Sequence, residues 1–522
     1  MNTFINKNCL DWKKVRNDEI GIINCPVGYG KTYLATNELP QHFNSTFPIM
    51  AVPTRAIMWQ TINDYENAIQ LDKMEFVKAD NEVNKMRVLC FSAIAQWLKD
   101  GNKITNSPDL LILDEIDELA KWSMCFDSYL LVWDWLITNR DKIKVIGLTA
   151  TPQLLTDYVR EIPFISVASD LEPKYKAQKV EVIQHSSIYT YLKTQEYSED
   201  NKVLVYLQSA KQCAEMAKKY PDAGFIVSEY NEDVLKDGGK PLNELMKEQK
   251  INDWHSPHDN LRDYVLNEKK LPQGYNLLFF NDSCHTGMNI KDETVKTVIC
   301  ETVEQSAIIQ AIGRVRHDLE KVVVITNYKN KKPFFRDLER ARRFFNNPKF
   351  GDYGFLCGWY EEEQNRKLKV KNGKIDFDIL TYCDGNGQIK INPFAKACYE
   401  CIFDIYRKLD KSWTARQYFD ETLKPLAMNT EIIYLDADEI KAKATNTQRF
   451  DESIIAEYLN RDLFSDDKKE LVSRIKLVDK LRRVTSWTTL KKHLIEHGYS
   501  VRDSKKINPK TGKQERYSNI TI

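Results

Sequence analysis

Short runs of apolar residues alternate with longer amphipathic stretches over the first third of the 522-residue chain. The runs have the length of buried strands, and the apolar positions between them recur with helical spacing. Strands that are buried on both faces and joined by helices form a parallel sheet, so the pattern predicts an α/β domain over residues 1–168. Its predicted strands cover residues 20–24, 47–53, 87–92, 110–115 and 144–152.

The same alternation returns after a polar segment at residues 169–178. It predicts a second α/β domain over residues 169–330, in which the charged stretch 230–274 forms helices and loops. Its predicted strands cover residues 179–184, 202–209, 224–229, 275–282, 295–302 and 321–328. The carboxyl ends of parallel strands meet at one edge of a sheet, where domains of this class bind their ligands.

The pattern changes after the second domain. Long helical periodicity predicts a helical accessory region over residues 331–470. Residues 471–522 hold 13 Lys and Arg against 4 Asp and Glu, and they predict a basic helix followed by two strands around a turn. This arrangement resembles a winged-helix module, in which the helix and the hairpin bind a duplex. The alternative is a basic tail that is ordered, solvated and without a partner.

The composition excludes several classes of protein. The hydrophobic fraction of 42% is a little low, but apolar and aromatic residues occur throughout the chain, which excludes a largely disordered protein. Charge interrupts every apolar run before the roughly 18 residues that a membrane helix needs, and the N-terminus lacks the apolar core of a signal peptide. We therefore expect a cytoplasmic protein without a membrane partner. Because the net charge is only +1, local basic surface would have to bind any nucleic acid.

The first predicted strand is followed by the sequence CPVGYGKT at residues 25–32 and then by a helical pattern. Gly28 and Gly30 allow the backbone N–H groups to fold closely around phosphate oxygens. Lys31 would neutralise the β- and γ-phosphates, and Thr32 would bind Mg²⁺, although a cysteine replaces the first glycine of the usual pattern. The sequence thus predicts ATP and Mg²⁺ as cofactors. The expected contacts to the nucleotide are Gly28, Tyr29, Gly30, Lys31 and Thr32.

Two carboxylates, Asp114 and Glu115, follow the apolar run LLIL directly. Carboxylates at the end of a buried strand are unfavourable unless a cation compensates them, and Mg²⁺ with an attacking water would do so. We expect Asp114 to bind the metal and Glu115 to orient the water as a base. The alternative is a pair of exposed acids that begin a helix and complement its dipole.

Six motifs occur in an order that resembles superfamily 2 helicases. They lie at residues 25–32, 52–56, 114–117, 148–152, 286–290 and 310–317. The resemblance covers about residues 18–330 and implies two RecA-like domains, with ATP between them and a nucleic-acid strand across both. It also implies that Thr149 and Thr151 couple the ATP site to the strand.

The resemblance assigns further roles at matching positions. Gly287 and Asn289 would touch both the nucleotide and the strand, and Gln310 and Arg314 would reach the γ-phosphate. Which residue supplies a second cation there is open, since relatives place an arginine at the position of His317 and this chain has Arg316 beside it. The expected contacts to nucleic acid are Thr54, Arg55, Gln208, Ser209 and Thr286 in the two domains, and Lys491, Lys492, Arg502, Lys505 and Lys506 in the basic module.

The motif sequences DEID, TAT and QAIGR depart from strict DEAD-box RNA helicases. They look more like those of DNA translocases and of viral or plasmid origin-binding helicases. The expected function is therefore an ATP-dependent helicase or translocase that acts on DNA, with RNA open and with protein partners from replication, repair or defence. One alternative is an origin-binding or assembly ATPase that uses ATP as a switch without processive unwinding. Another is a DNA-binding scaffold with a degenerate ATP site.

Overall fold

The computed structural model describes most of the chain. The described residues are 5–16, 19–71, 85–101, 108–167, 171–251, 256–282, 288–326, 337–369, 377–429, 431–447, 452–475, 478–479, 482–483, 486–496, 499–509 and 511–521. The chain divides into two compact units. The first comprises Met1–Ser187 with Glu196–Leu435, and the second comprises Ile188–Gln195 with Asp436–Ile522.

A parallel sheet forms the centre of the first domain. Its strands in the described residues are β1 (Ile20–Asn24), β2 (Pro48–Val52), β3 (Ala68–Gln70), β4 (Met86–Cys90), β5 (Leu110–Asp114), β6 (Lys144–Thr149) and β7 (Phe164–Ser166). They are arranged in the order β3-β4-β2-β5-β6-β1-β7. The strands β1, β2, β4 and β5 are almost entirely buried, as their continuous apolar sequences predict.

Helices cover both faces of this sheet. They are α1 (Lys31–Tyr33), α2 (Leu39–His42), α3 (Arg55–Asp64), α4 (Phe91–Lys99), α5 (Ile116–Trp122) and α6 (Asp127–Asn139). Short 3-10 segments (Lys7–Cys9, Trp12–Lys14) and π-helical segments (Leu34–Glu38, Leu154–Tyr158) complete the domain. On β6, a Cβ added to Gly147 would lie 2.8 Å from Ile116 Cδ1, so this glycine lets α5 pack closely on the sheet.

A second parallel sheet follows. Its strands are β8 (Ala177–Gln184), β9 (Lys202–Leu207), β10 (Ala223–Ile226), β11 (Leu277–Phe280), β12 (Val295–Glu301) and β13 (Leu319–Thr326), in the order β10-β11-β9-β12-β13-β8. The helices along this part of the chain are α7 (Ile188–Leu192), α8 (Ala210–Ala217), α9 (Leu242–Lys247), α10 (Leu261–Glu268) and α11 (Gln305–Ile312). The two parallel sheets confirm the predicted tandem α/β architecture of the RecA type. The strands β3 and β7 escaped prediction because each has three residues that are largely half-buried or exposed.

The region after the second sheet contains helices and short strands. Its elements in the described residues are α12 (Leu338–Phe345), α13 (Tyr353–Lys369), β14 (Thr381–Cys383), β15 (Ile389–Ile391), α14 (Pro393–Leu409), α15 (Ser412–Leu423), a 3-10 turn (Lys424–Leu426) and β16 (Ile432–Leu435). The helix α14 packs into the core of the first domain, where Trp133 and Phe394 have ring centroids 4.5 Å apart. Asn392 Nδ2 also donates to the carbonyl of Ser123 over 3.0 Å.

The strand β16 pairs in parallel with β8 and so extends the second sheet. Tyr418 on α15 adds a hydrogen bond of 2.7 Å from its hydroxyl to the carbonyl of Val303 in the second domain. The accessory region is therefore shared, because α14 belongs to the core of the first domain and β16 belongs to the sheet of the second. The domain limits at residues 168, 330 and 470 remain predictions.

The second unit contains a small apolar core and a hairpin. Its elements, besides α7, are α16 (Ala437–Thr447), α17 (Glu452–Ala456), α18 (Ser465–Ile475), β17 (Val478–Asp479), β18 (Arg482–Arg483), α19 (Trp487–Glu496), β19 (Ser500–Ile507) and β20 (Gln514–Thr521). Leu471, Leu490, Leu494 and Ile520 are buried together, so α18, α19 and β20 share one core. The helix α19 followed by the antiparallel β19–β20 pair matches the predicted order of elements. The winged-helix assignment itself remains a prediction.

Candidate active site

The loop after β1 has the backbone that a phosphate-binding loop requires. Gly28 has φ +93° and Gly30 has φ +78°, values that glycine adopts at little cost. Lys31 begins α1 and is buried, and its Nζ donates to the carbonyl of Cys25 over 2.9 Å. The ammonium group therefore lies inside the curve of the loop, where the charge of a phosphate would be neutralised.

The predicted metal-binding carboxylate lies at the end of β5. The pKa of Asp114 is raised to about 7, chiefly by burial and also by the charge of Glu115, while Lys31 lowers it. Glu115 has φ +48° and ψ 54°, a conformation that is strained for a residue with a side chain. Its Oε2 atom is buried and has no hydrogen-bond partner in the described part of the chain. This environment favours a bound cation and leaves one carboxylate oxygen available to a water molecule.

Asp117 connects three of the predicted motifs. Its carboxylate accepts hydrogen bonds from Thr149 Oγ1 at 2.7 Å and Thr151 Oγ1 at 2.9 Å, both after β6 or at its end. Gln310 Nε2, on α11 of the second domain, donates to the same carboxylate at 3.2 Å. Asp117 is the last residue of the motif DEID, and its role was not predicted. Its position in the first turn of α5, two residues after Glu115, was the available signal.

The C-terminal end of α11 packs directly on the phosphate loop. A Cβ added to Gly313 would lie 2.7 Å from Val27 Cγ2, so glycine is what permits this contact. Beyond it, Arg316 Nη1 lies 3.8 Å from the position that a Cβ on Gly28 would take. Arg316 Nε donates to Asn289 Oδ1 over 2.9 Å. The second domain thus places a guanidinium group against the phosphate loop of the first.

The motif at residues 310–317 contains three candidate cations, and they have different surroundings. Arg314 is buried and its Nε donates to the carbonyl of Gln310 over 3.1 Å. His317 contacts the carbonyl of Val295 through Nε2 at 2.9 Å, within the second domain. The pKa of Arg316 is lowered to about 10, chiefly by burial and also by the charge of Arg314, while Tyr175 and Glu115 raise it. A partly buried guanidinium group beside the phosphate loop, with buried Arg314 two residues earlier, fits a polyanionic ligand.

A buried ionic cluster crosses the cleft near Asp117. Lys121 on α5 lies 2.9 Å from Glu118 Oε1 and 3.8 Å from Asp117 Oδ2. Burial raises the pKa of Glu304, which precedes α11, to about 7, while Lys121 lowers it and Asp282 raises it. This cluster could not be predicted from the sequence, because Asp282 and Glu304 lie far along the chain from the α5 residues that they face.

The residues fit Mg²⁺ and a nucleoside triphosphate. Lys31 and Arg316 offer positive charge to phosphate, and Asp114 offers a carboxylate whose ionised form a cation would stabilise. Arg316 Nη1, like Glu115 Oε2, is buried and has no hydrogen-bond partner among the residues that the structure describes. Buried polar atoms rarely remain unpaired unless a ligand or water completes them.

The predicted nucleic-acid contacts of the two domains lie at strand ends. Thr54 precedes α3 and caps it, accepting from the N–H of Ile57 at 3.3 Å. Ser209 caps α8 in the same way. Gln208, after β9, donates from Nε2 to Glu304 Oε2 at 3.2 Å and so faces inward. Arg55 opens α3. Thr286 and Gly287 lie outside the described residues.

The basic residues of the second unit fall into two groups. Lys491 lies 2.5 Å from Asp503 Oδ2, and Lys506 lies 2.7 Å from Asp462 Oδ2, so both are ion-paired within the unit. The remaining three are exposed on α19 and β19: Lys492, Arg502 and Lys505. A phosphate backbone could reach these exposed side chains from the solvent.

Comparison with known sequences identifies the first domain. Residues 3–154 match the family described as type III restriction enzyme, res subunit. The first domain is of the superfamily 2 helicase type. This helicase-type domain contains the phosphate loop, both candidate catalytic carboxylates and Thr149 and Thr151. The match agrees with the expected class of enzyme, a nucleoside-triphosphate hydrolase of the helicase type. No curated protein sequence matches the chain.

Similar solved structures belong to helicases. Mss116p bound to single-stranded RNA and AMP-PNP is 14% identical, with 85% of each chain covered and a TM-score of 0.39. Dbp5 of S. cerevisiae bound to RNA and ADP BeF3 is 11% identical, with 83% of this chain and 90% of that chain covered and a TM-score of 0.38. Lhr of Mycobacterium smegmatis bound to single-stranded DNA and AMP-PNP is 12% identical, with 88% and 58% covered and a TM-score of 0.36.

No helix in the described ranges combines the length and the apolar character needed to cross a membrane.

Proposed function

We propose that the protein is a Mg²⁺-dependent ATPase that uses the closure of its two RecA-like domains to translocate along or unwind nucleic acid, with DNA as the favoured substrate. The observation that carries the proposal is the position of Arg316. Its guanidinium group comes from the second domain, lies against Gly28 of the phosphate loop and keeps a buried Nη1 without a hydrogen-bond partner among the described residues. An arginine supplied in this way stabilises the transferring phosphoryl group only when the cleft is closed.

Each side chain has a defined task in this reaction. Lys31 would bind the phosphates, and Thr32 and Asp114 would hold a Mg²⁺ ion beside them. The bound Mg²⁺ supplies stabilisation of the charge that develops during phosphoryl transfer. Glu115 orients the attacking water through its buried Oε2 and accepts its proton. Arg316 stabilises the transferring group from the opposite domain, with Arg314 beside it.

The coupling to a strand follows from Asp117 and Gln310. Their hydrogen bond joins the two domains, and the same carboxylate holds Thr149 and Thr151 at the end of β6. If the two domains moved apart, the Asp117 carboxylate would lose its bond to Gln310, and the positions of Thr149 and Thr151 would change with it. Exposed basic residues on α19 and β19 support a role for the second unit in binding a duplex, because phosphate contacts dominate such affinity.

Steady-state ATP hydrolysis tests the proposal. The rate is measured without nucleic acid and with single-stranded DNA, duplex DNA or RNA, and the Glu115→Gln variant serves as the blank. We expect Mg²⁺-dependent turnover that one polymer stimulates and that the variant lacks. A wild-type rate in the variant would disprove the site assignment. If none of the three polymers stimulated the rate, and a strand-displacement assay gave no ATP-dependent product, an ATPase that uses ATP as a switch would be favoured over a translocase or helicase.

A further inference from the structure

The segment that joins the two domains lies over the phosphate loop. Tyr29 in the loop donates from its hydroxyl to the carbonyl of Glu172 over 2.7 Å, which fixes this segment, residues 171–176, to the loop. At its other end, the N–H of Lys176 donates to Asp318 Oδ1 over 2.9 Å, immediately after the arginine motif of the second domain. The segment therefore has one attachment on each side of the cleft.

Two side chains of this segment reach the face of Gly28. Measured from the position that a Cβ on Gly28 would take, Tyr175 Cε2 lies at 3.4 Å, Lys174 Cδ at 3.5 Å and Arg316 Nη1 at 3.8 Å. The Lys174 ammonium also lies 5.5 Å from the centre of the Tyr175 ring, which holds the two side chains together. The three side chains surround the left-handed glycine of the loop.

The chemistry of this group fits a phosphate that carries more charge than a bridging one. Lysine offers three N–H donors, tyrosine offers a hydroxyl, and arginine offers paired donors in one plane. Lys174 and Arg316 thus bring two cations to one face of Gly28, and both side chains are partly buried. Positive charges that lie close together are stabilised by an anion between them.

We propose that Lys174 and Tyr175 bind the terminal phosphate of a nucleoside triphosphate together with Arg316, so that the segment between the domains distinguishes triphosphate from diphosphate. This role rests on the proposed function and extends it, since it adds a contact from a part of the chain that belongs to neither sheet. Because the segment is attached on both sides of the cleft, loss of the terminal phosphate would remove the ligand that Lys174 and Tyr175 share with Arg316 of the second domain, which would favour opening.

Nucleotide affinity in a background that cannot hydrolyse ATP tests this role. ATP and ADP are titrated separately by calorimetry, with Mg²⁺, into full-length Glu115→Gln protein and into the same protein carrying Lys174→Met or Tyr175→Phe. We expect Lys174→Met to weaken ATP binding at least tenfold and Tyr175→Phe to weaken it about threefold. Both should leave ADP binding within about twofold, because ADP lacks the phosphate that these groups bind.

Lys176→Met is the matched control. Lys176 lies in the same segment, but its ammonium pairs with Glu172 at 2.5 Å. Its removal should leave the ratio of ATP to ADP affinity unchanged. An equal loss for both nucleotides in Lys174→Met, or no loss for either, would overturn the linker role while the proposed function stands. Protein that binds neither nucleotide before the linker is changed would overturn both.

Discussion

Gln310 Nε2 of the second domain donates to Asp117 Oδ2 of the first over 3.2 Å, and both side chains are buried. The carboxylate that accepts this bond also accepts from two threonines next to the ATP site. The buried Asp117 side chain thus contacts the opposite domain and also holds Thr149 and Thr151 in place.

Replacing Asp117 by Asn should separate ATP binding from its use. The amide retains the volume but replaces an acceptor by a donor, so one of the three hydrogen bonds is lost and a buried donor opposes the Gln310 amide. We expect stimulated turnover to fall by about 10- to 100-fold, nucleotide affinity to change by less than about threefold, and the free energy of unfolding to fall by about 1–3 kcal/mol. Stopped-flow nucleotide binding and turnover assays measure the first two.

Asp64→Asn, at the exposed end of α3, is the control for this experiment. If Asp117→Asn retained full stimulation by nucleic acid, the connection between the domains would have to run through other residues.

Replacing Arg316 by Gln should abolish most turnover. The guanidinium group against Gly28 is the cation that the second domain brings to the phosphate loop, and arginines in this role accelerate hydrolysis by about 10³- to 10⁵-fold. We expect kcat to fall at least 100-fold. His317→Gln, whose side chain faces Val295, should stay within about threefold of the wild type. Equal losses in the two variants would leave open whether Arg316 or His317 supplies the second cation.

Replacing Gly313 by Ala should hold the cleft open. The new methyl group would overlap Val27 Cγ2 at 2.7 Å, and the backbone carbonyl of Ile309 at 3.1 Å restricts its escape. Since closure brings Arg316 to the phosphate loop, we expect kcat to fall by about tenfold or more. Val27→Ala removes the clashing group, so the double variant should recover much of the loss. A double-mutant cycle measures this recovery, and additive effects would show that the two residues do not interfere.

The stability of the protein should decrease as the pH rises through the range in which Glu304 ionises. Burial raises its pKa to about 7 from an ordinary value of 4.5, so the folded state binds a proton that the unfolded state releases within this interval. Stability from this group is therefore greatest below about pH 4.5 and is lost up to about pH 7, by at most about 3 kcal/mol.

Glu304→Gln should flatten this part of the profile. Denaturant unfolding at pH 5, 6, 7 and 8 measures the difference from wild type. Glu362→Gln, at a half-exposed position on α13, keeps the wild-type slope and serves as the control. A Glu304→Gln profile that falls as steeply as the wild type would assign the pH dependence to another member of the cluster.

Removing exposed charge from the hairpin should weaken the salt dependence of duplex binding. Arg502→Gln with Lys505→Gln removes two exposed cations from β19. We expect the slope of log affinity against log salt to become shallower by about 2, because two fewer counterions are released. ATP hydrolysis without nucleic acid should not change. Lys441→Gln with Lys469→Gln lowers the charge of the same unit equally, and an identical effect there would argue against a specific binding face.

The sequence predicted those parts of the structure that depend on residues close together along the chain. Buried strands such as β5 are continuous apolar runs, and the phosphate loop is a short motif between a strand and a helix. The strand β16 was missed because its sequence, IIYL, lies in a helical context and pairs with β8, far earlier in the chain. Lys174 and Tyr175 were missed for a related reason, since they lie far from Gly28 along the chain and only the fold brings them to it.

The late position of β16 has a consequence for synthesis on the ribosome. Until this strand emerges, β8 has an unpaired edge on the nascent chain, and exposed edges of this kind are prone to pair with other chains. At about 5 to 20 residues per second, the interval between the emergence of β13 and of β16 is on the order of ten seconds. The first domain waits in a similar way for Phe394 to cover Trp133. The core of the first domain and the sheet of the second are therefore both completed only by segments that follow the second domain in the chain. Both domains would then be incomplete on the ribosome at the same time, and neither could finish folding before the accessory region is made.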